Sequence, residues 1–318
     1  MRRGRRRLLP VAVVAAGLLG CQDEVVVRNA DAARPAPEGG LGDVDRTPDP
    51  ACRGEGRWIL AATGAVVSDD GHPVQNARVQ LCVRTHPDER LICLPPPATD
   101  AEGRYEILVP PEARCMRRAV MRVLVSGAPY ATTYCPVALD DVVDAVLVTR
   151  RPWVLFSLRP VDPLPPSDDP EAMQDVVLDG GLRLTLAPSM LGLGGDWSQW
   201  ASRRIDLSAA NAVRPCFADR VPGALVAWGL RPEASVDAPG ARVRIEGGFG
   251  LGAGSPVELM LLGGLDTRLA DGTVVEEAEL ATVWTGRVAA DGRSINPSGS
   301  ETGLTYLSWL VLRRAPPP

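Results

Sequence analysis

Apolar and polar positions alternate in short runs along most of this chain. Val79, Leu81 and Val83 fall on one side of an extended run, and Arg78, Gln80 and Arg84 on the other. That period of two is the signature of a half-buried strand. Tyr105, Ile107 and Val109 repeat it against Arg104, Glu106 and Leu108. Runs rich in Val, Ile and Leu predict further strands over 58–67, 77–84, 104–109, 119–126, 144–149 and 153–158. The second half continues with GLRLTL, ALVAWGL, ARVRIE, VELMLLG, GTVVEEAELATVWTG and GLTYLSWLVLRR. In the last run Leu304, Tyr306, Ser308 and Leu310 oppose Thr305, Leu307, Trp309 and Val311. Both faces are largely apolar, so this strand is expected at the centre of a sheet or covered on both sides. The pairs Asp271-Gly272 and Asp291-Gly292 predict hairpin turns. One short helix is expected, around 199–210. The expected fold class is all-β, with two β-sandwich-like domains in tandem.

Two stretches break the pattern. Residues 21–50 mix Pro, Gly and Asp with no sustained period and are expected to form a flexible tether. Residues 161–180, rich in Pro and acids, are expected to link a first domain over 51–160 to a second over 181–318. Residues 1–20 carry five arginines and then an apolar run from Leu8 to Leu19, the layout of a secretory signal too short to span a membrane. The Leu18-Leu19-Gly20-Cys21 sequence resembles the bacterial lipobox. That resemblance implies lipidation of Cys21, cleavage before it, and membrane attachment through the N-terminal lipid. Gln22 follows in place of Asp, which by the same resemblance favours the outer membrane.

Charge and cysteine content refine this reading. Without the five signal arginines the chain carries 29 basic residues, from 34 less 5, against 39 acidic ones. A net charge near −10 argues against nucleic acid as a partner. Every basic residue is Arg, which excludes Schiff-base and P-loop lysine chemistry. Beyond Cys21 there are six cysteines, Cys52, Cys82, Cys93, Cys115, Cys135 and Cys216, an even number suited to three disulfides in an oxidising compartment. Of the 15 possible connectivities, the expected one joins Cys82 to Cys93, Cys115 to Cys135, and Cys52 to Cys216 between the domains. No C-x-x-C occurs and the only histidines are His72 and His86, so no zinc site and no other cofactor is implied.

From Gly64 the chain reads GAVVSDDGHPVQNARVQL, and after a loop, TDAEGRYEILVP. Gly64, Val66, Asp69 or Asp70, Gly71, Pro73, Ala77, Val79, Leu81, Thr99, Asp100, Gly103, Tyr105 and Ile107 resemble the pattern of the carboxypeptidase regulatory-like domain. The resemblance spans 57–158 and implies a transthyretin-type β-sandwich acting as a folding or adapter module. The peptidase zinc ligands of such proteins lie in another domain. Asn76 departs from the usual Gly, and the cysteine-bearing loop with Pro95, Pro96 and Pro97 is an addition.

Four local features could carry chemistry. Asp69, Asp70, Asp100 and Glu102 offer carboxylates to Ca²⁺, but on two separate turns, and Asp100 fits turn capping. His72 and His86 permit a Ser-His-Asp arrangement, although no G-x-S-x-G elbow is present. GGFGLGAG, residues 247–254, lies between strands and opens no helix, so it lacks the dipole of a phosphate loop. Trp197 and Trp200, with Arg203 and Arg204 nearby, could form a stacking platform for a sugar ring or a partner. Together these observations predict a non-enzymatic envelope lipoprotein with structural or binding duties toward an envelope protein or glycan. Glycan binding through the tryptophans and a secreted hydrolase are the alternatives.

Overall fold

A computed structural model describes residues 46–316 except 53, 128, 193, 194, 210, 211 and 299–302. The signal, Cys21 and most of the tether lie outside the described residues. Among those described there is no α-helix, only strands and five short 3₁₀ turns. The chain is all-β, as its alternation predicts.

Two five-stranded sheets occupy the first half. One runs Arg57–Trp58, Cys115–Leu124, Arg78–Thr85, Leu91–Cys93, with Thr133–Val137 also paired to Cys115–Leu124. The other runs Trp153–Leu155, Ala61–Ser68, Val146–Val148, Val142–Val143, with Arg104–Leu108 also on Ala61–Ser68. They face each other across one apolar core. Val79, Leu81, Val83, Met121 and Val123 of the first meet Ala62, Val66, Tyr105, Ile107 and Leu155 of the second.

The TDAEGRYEILVP stretch forms the corner of this sandwich. Asp100 Oδ1 accepts the backbone N–H of Glu102 at 3.0 Å and of Arg104 at 2.7 Å. Gly103 has φ +75°, and a Cβ there would lie 2.3 Å from the Val66 carbonyl oxygen, so only glycine fits. Tyr105 lies opposite Gly64 across the strand pair, where a Cβ on Gly64 would lie 2.7 Å from the Tyr105 hydroxyl. That hydroxyl accepts Trp153 Nε1–H at 2.8 Å and bonds Thr149 Oγ1 at 3.0 Å, while burial pushes its pKa up to about 12. Asp100→Ala removes two turn bonds and is expected to cost about 1–2 kcal/mol, read as a lower urea midpoint at unchanged slope.

The second half builds a seven-stranded sheet in the order Arg159–Pro160, Ala201–Asp206, Ala224–Arg231, Leu310–Arg314, Pro256–Leu262, Leu280–Val288, Ile295–Pro297. A three-stranded sheet of Gln174–Val177, Leu182–Leu186 and Arg242–Ile245 covers one of its faces. The expected C-terminal strand divides: Tyr306–Leu307 pairs with Ala234–Ser235 in a separate two-stranded sheet, and Leu310–Arg314 alone forms the central strand, where Leu310, Val311 and Leu312 are fully buried, as two apolar faces require. Asp291 and Gly292 turn the chain between the last two strands, with Asp291 Oδ1 accepting from Arg293 and Ser294.

Three further expectations are corrected. The helix expected at 199–210 is a strand over Ala201–Asp206, because pairing with Ala224–Arg231 on one side and Arg159–Pro160 on the other outweighs local propensity. The stretch 161–180 contains the strand Gln174–Val177, paired with Leu182–Leu186. Of the expected disulfides only Cys82–Cys93 forms, between directly opposed positions of adjacent strands. Cys115 pairs with Cys52, and Cys135 with Cys216. The strand pair Arg57–Trp58 with Cys115–Leu124 places the start of the described chain beside Cys115, which explains the exchange.

Candidate functional site

A network of partly buried charged groups lies where the two strand-rich halves meet. Alternation on the strand Cys115–Leu124 sends Ala119, Met121 and Val123 into the first sandwich. It sends Arg118, Val120 and Arg122 the other way, onto the second half. Arg84 and Gln80 of the neighbouring strand join that face. A third apolar cluster fills the joint: Val120, Ala131, Tyr134, Phe156 and Leu158 meet Ile205, Phe217, Met260, Leu262 and Trp309. Trp309 stands edge-on to Phe156 and Phe217, with ring centroids at 5.5 and 5.3 Å, and donates its indole N–H to the Thr132 carbonyl at 2.9 Å.

Glu233 is the centre of the polar part, with its side chain only 12 % exposed. Its Oε1 accepts the hydroxyl protons of Tyr134 and of Tyr306, the latter at 2.9 Å. Its Oε2 accepts Arg122 Nη2–H at 3.2 Å, and the Arg122 guanidinium lies 5.6 Å from the Tyr134 ring centroid. Burial first, and the Glu233 charge second, push both tyrosine hydroxyls well above their usual pKa. Both therefore stay protonated and donate. A carboxylate that receives two hydroxyls and a guanidinium has its lone pairs matched, which suits a joint better than a reactive acid.

Two further groups of ionic contacts flank it. Arg118 pairs with Glu276 and, at 2.5 Å, with Glu279, while Arg220 takes the other Glu279 oxygen at 2.6 Å. Arg84 lies 3.5 Å from Glu276 and 3.7 Å from Glu277. On the other side Asp69 pairs with Arg203 and accepts the Ser157 backbone N–H at 3.0 Å. The Cys135–Cys216 disulfide closes the joint covalently across 81 residues of sequence.

The residues singled out in the sequence distribute differently. Asp69 is engaged by Arg203 and Asp100 by its own turn, and no group of three metal-ligating side chains forms among the described residues. Ser68, Asp70 and His72 do come together. Ser68 Oγ donates to Asp70 Oδ1, and His72 Nδ1 lies 3.1 Å from the same oxygen. The Ser68 hydroxyl, then His72, holds the Asp70 carboxyl down at about 2. The acid stands between hydroxyl and imidazole, whereas a nucleophilic relay needs the imidazole in the middle. The 247–254 loop is largely exposed and anchored by Phe249, which is buried beneath the Arg204 guanidinium, 5.4 Å from its ring centroid.

Trp197 and Trp200 are adjacent but nearly perpendicular, with centroids 5.7 Å apart and ring planes at 87°. Trp200 is 1 % exposed and belongs to the second core, with Trp197 half-buried beside it. The pair does not offer the coplanar face that sugar stacking uses. The Glu233 joint escaped the sequence because its members sit at 122, 134, 233 and 306, with no shared motif. The one available signal was the polar row of Arg and Gln on otherwise strongly apolar strands. No protein-family model and no curated protein matches this chain.

Proposed function

We propose that this chain is an exported lipoprotein of the bacterial outer membrane, tethered through Cys21, whose two β-sandwich regions act as one rigid non-enzymatic body with structural or binding duties. Its first region serves as a carboxypeptidase regulatory-like adapter module. The observation that carries the reading is the joint: apolar cluster, Glu233 network and Cys135–Cys216 bond fix the halves to each other. Such a body transmits position from a tether to a bound partner. A hinged pair would not.

Three disulfides suit an oxidising, exported environment. Among the described residues no helix is long and apolar enough to cross a membrane; in this reading the lipid on Cys21 supplies the attachment. Each buried acyl methylene contributes about 0.8 kcal/mol, enough in several chains for stable anchoring. Metabolic palmitate labelling should mark the wild-type protein in the membrane fraction, and Cys21→Ser should lose the label and become soluble. A label retained by Cys21→Ser would refute the anchor. Crosslinking in intact envelopes followed by detergent extraction would then identify the protein or glycan that the body contacts.

A further inference from the structure

Residues 161–173 form a strap with no strand or helix, and carry Pro163, Pro165, Pro166 and Pro170. Connections of this length without structure of their own are uncommon and are often functional. The strap lies on the tryptophan pair. Trp197 Nε1–H donates to the Pro165 carbonyl at 3.1 Å, and the Trp200 carbonyl accepts the Val161 N–H at 2.9 Å. Val161 and Trp197 both pack on the second core. Farther on, the Pro170 carbonyl accepts the Ser189 N–H at 2.8 Å. Between these points Pro163, Leu164 and residues 166–169 are exposed.

We propose that the Trp197–Trp200 cleft is a binding site for an extended proline-rich peptide of a partner protein, occupied here by the chain's own strap. Proline has no N–H and a ring in place of a free side chain, so a proline-rich segment is recognised through ring contacts and through its carbonyl oxygens. Trp197 offers both, an apolar ring edge and an indole donor. This is the chemistry by which aromatic grooves take polyproline-type ligands. Trp200 is 1 % exposed and belongs to the second core, so the indole donor that meets the strap is that of Trp197.

The strap competes as a tethered ligand. Between the anchors at Val161 and Pro170 the Trp197 bond is the strap's one described hydrogen bond to the second core, and such a bond contributes no more than about a tenfold preference, so this middle part opens locally without unfolding either core. Free peptide sees only the open fraction, and its apparent Kd is raised by that factor.

The test uses the full-length protein labelled at indole nitrogens and a synthetic peptide with the sequence of residues 159–170. The comparison protein has the strap weakened by Pro163→Ser, Leu164→Ser, Pro165→Ser and Pro166→Ser. The peptide should shift the Trp197 indole resonance in both and bind the weakened protein about tenfold more tightly. Trp197→Phe in the weakened background should reduce binding about tenfold, with the other indole signals unmoved. Wild-type protein nicked within 166–169 gives the same comparison without substitutions. Failure of the peptide to shift any indole signal in the weakened or nicked protein, or equal binding by Trp197→Phe, would overturn the proposal.

Discussion

Glu233→Ala is expected to destabilise the protein by about 3–5 kcal/mol, the range for breaking a buried charge pair from one side. The substitution strands three donors at once. Tyr134 and Tyr306 lose the acceptor of their hydroxyl protons, and Arg122 keeps a guanidinium whose side chain is only 22 % exposed. Arg122 Nε has no partner, and the guanidinium would keep only a long 3.5 Å bond to Gln80 Oε1 and the Tyr134 ring. Small domains have a total stability of about 5–15 kcal/mol, so this loss is a large part of the whole. Glu233→Gln keeps an acceptor oxygen and the side-chain shape, and should lose less. Tyr306→Phe removes one hydroxyl and should cost about 1 kcal/mol. Denaturant midpoints for the three variants check the order; a Glu233→Ala loss under about 1 kcal/mol would show that the network is dispensable.

Replacing Cys135 and Cys216 together by Ala is expected to cost about 4 kcal/mol, more than the same treatment of Cys82 and Cys93, at about 3 kcal/mol. The difference follows from the chain each bond closes. Cys135–Cys216 spans 81 residues and Cys82–Cys93 spans 11, and the entropy removed from the unfolded chain grows with the logarithm of that length. The two bonds also differ in what they join. Cys82 and Cys93 lie on neighbouring strands already paired by backbone hydrogen bonds. Cys135 and Cys216 belong to different halves, held otherwise by side chains alone at that point. Thermal melts of the two double variants, with the disulfide-intact wild type as reference, test the ranking. The same order would fail if the Cys82/Cys93 variant were the less stable.

The strands were legible in the sequence wherever alternation ran for several residues. Val79-Leu81-Val83 and Tyr105-Ile107-Val109 face the core as their spacing implies. Turn chemistry was legible too, since Asp100 and Gly103 act through the backbone and carry their geometry locally. What faced the polar side was not. Gln80, Arg84, Arg118 and Arg122 have the pattern of a solvated surface, and long charged side chains at a joint have the same one-dimensional pattern as those in water. The disulfides show the same limit: sequence separation favours no pairing over another, whereas strand register places Cys52 beside Cys115. At Ala201–Asp206 the local preference was weak, and two neighbouring strands decided it. The segment 161–180 reads as a linker by composition, yet it supplies an edge strand to a sheet and a strap to a cleft.

The order of strands in the seven-stranded sheet sets the order of events during synthesis. Leu310–Arg314 stands between Ala224–Arg231 and Pro256–Leu262, which pair only through it. It leaves the ribosome after every other described strand. Until it arrives, the sheet is two unjoined fragments with bare inner edges, and Trp309 is missing from the cluster that holds the halves together. Pairings this distant in sequence form slowly. The chain must therefore stay soluble with its central gap open until the last strand closes it.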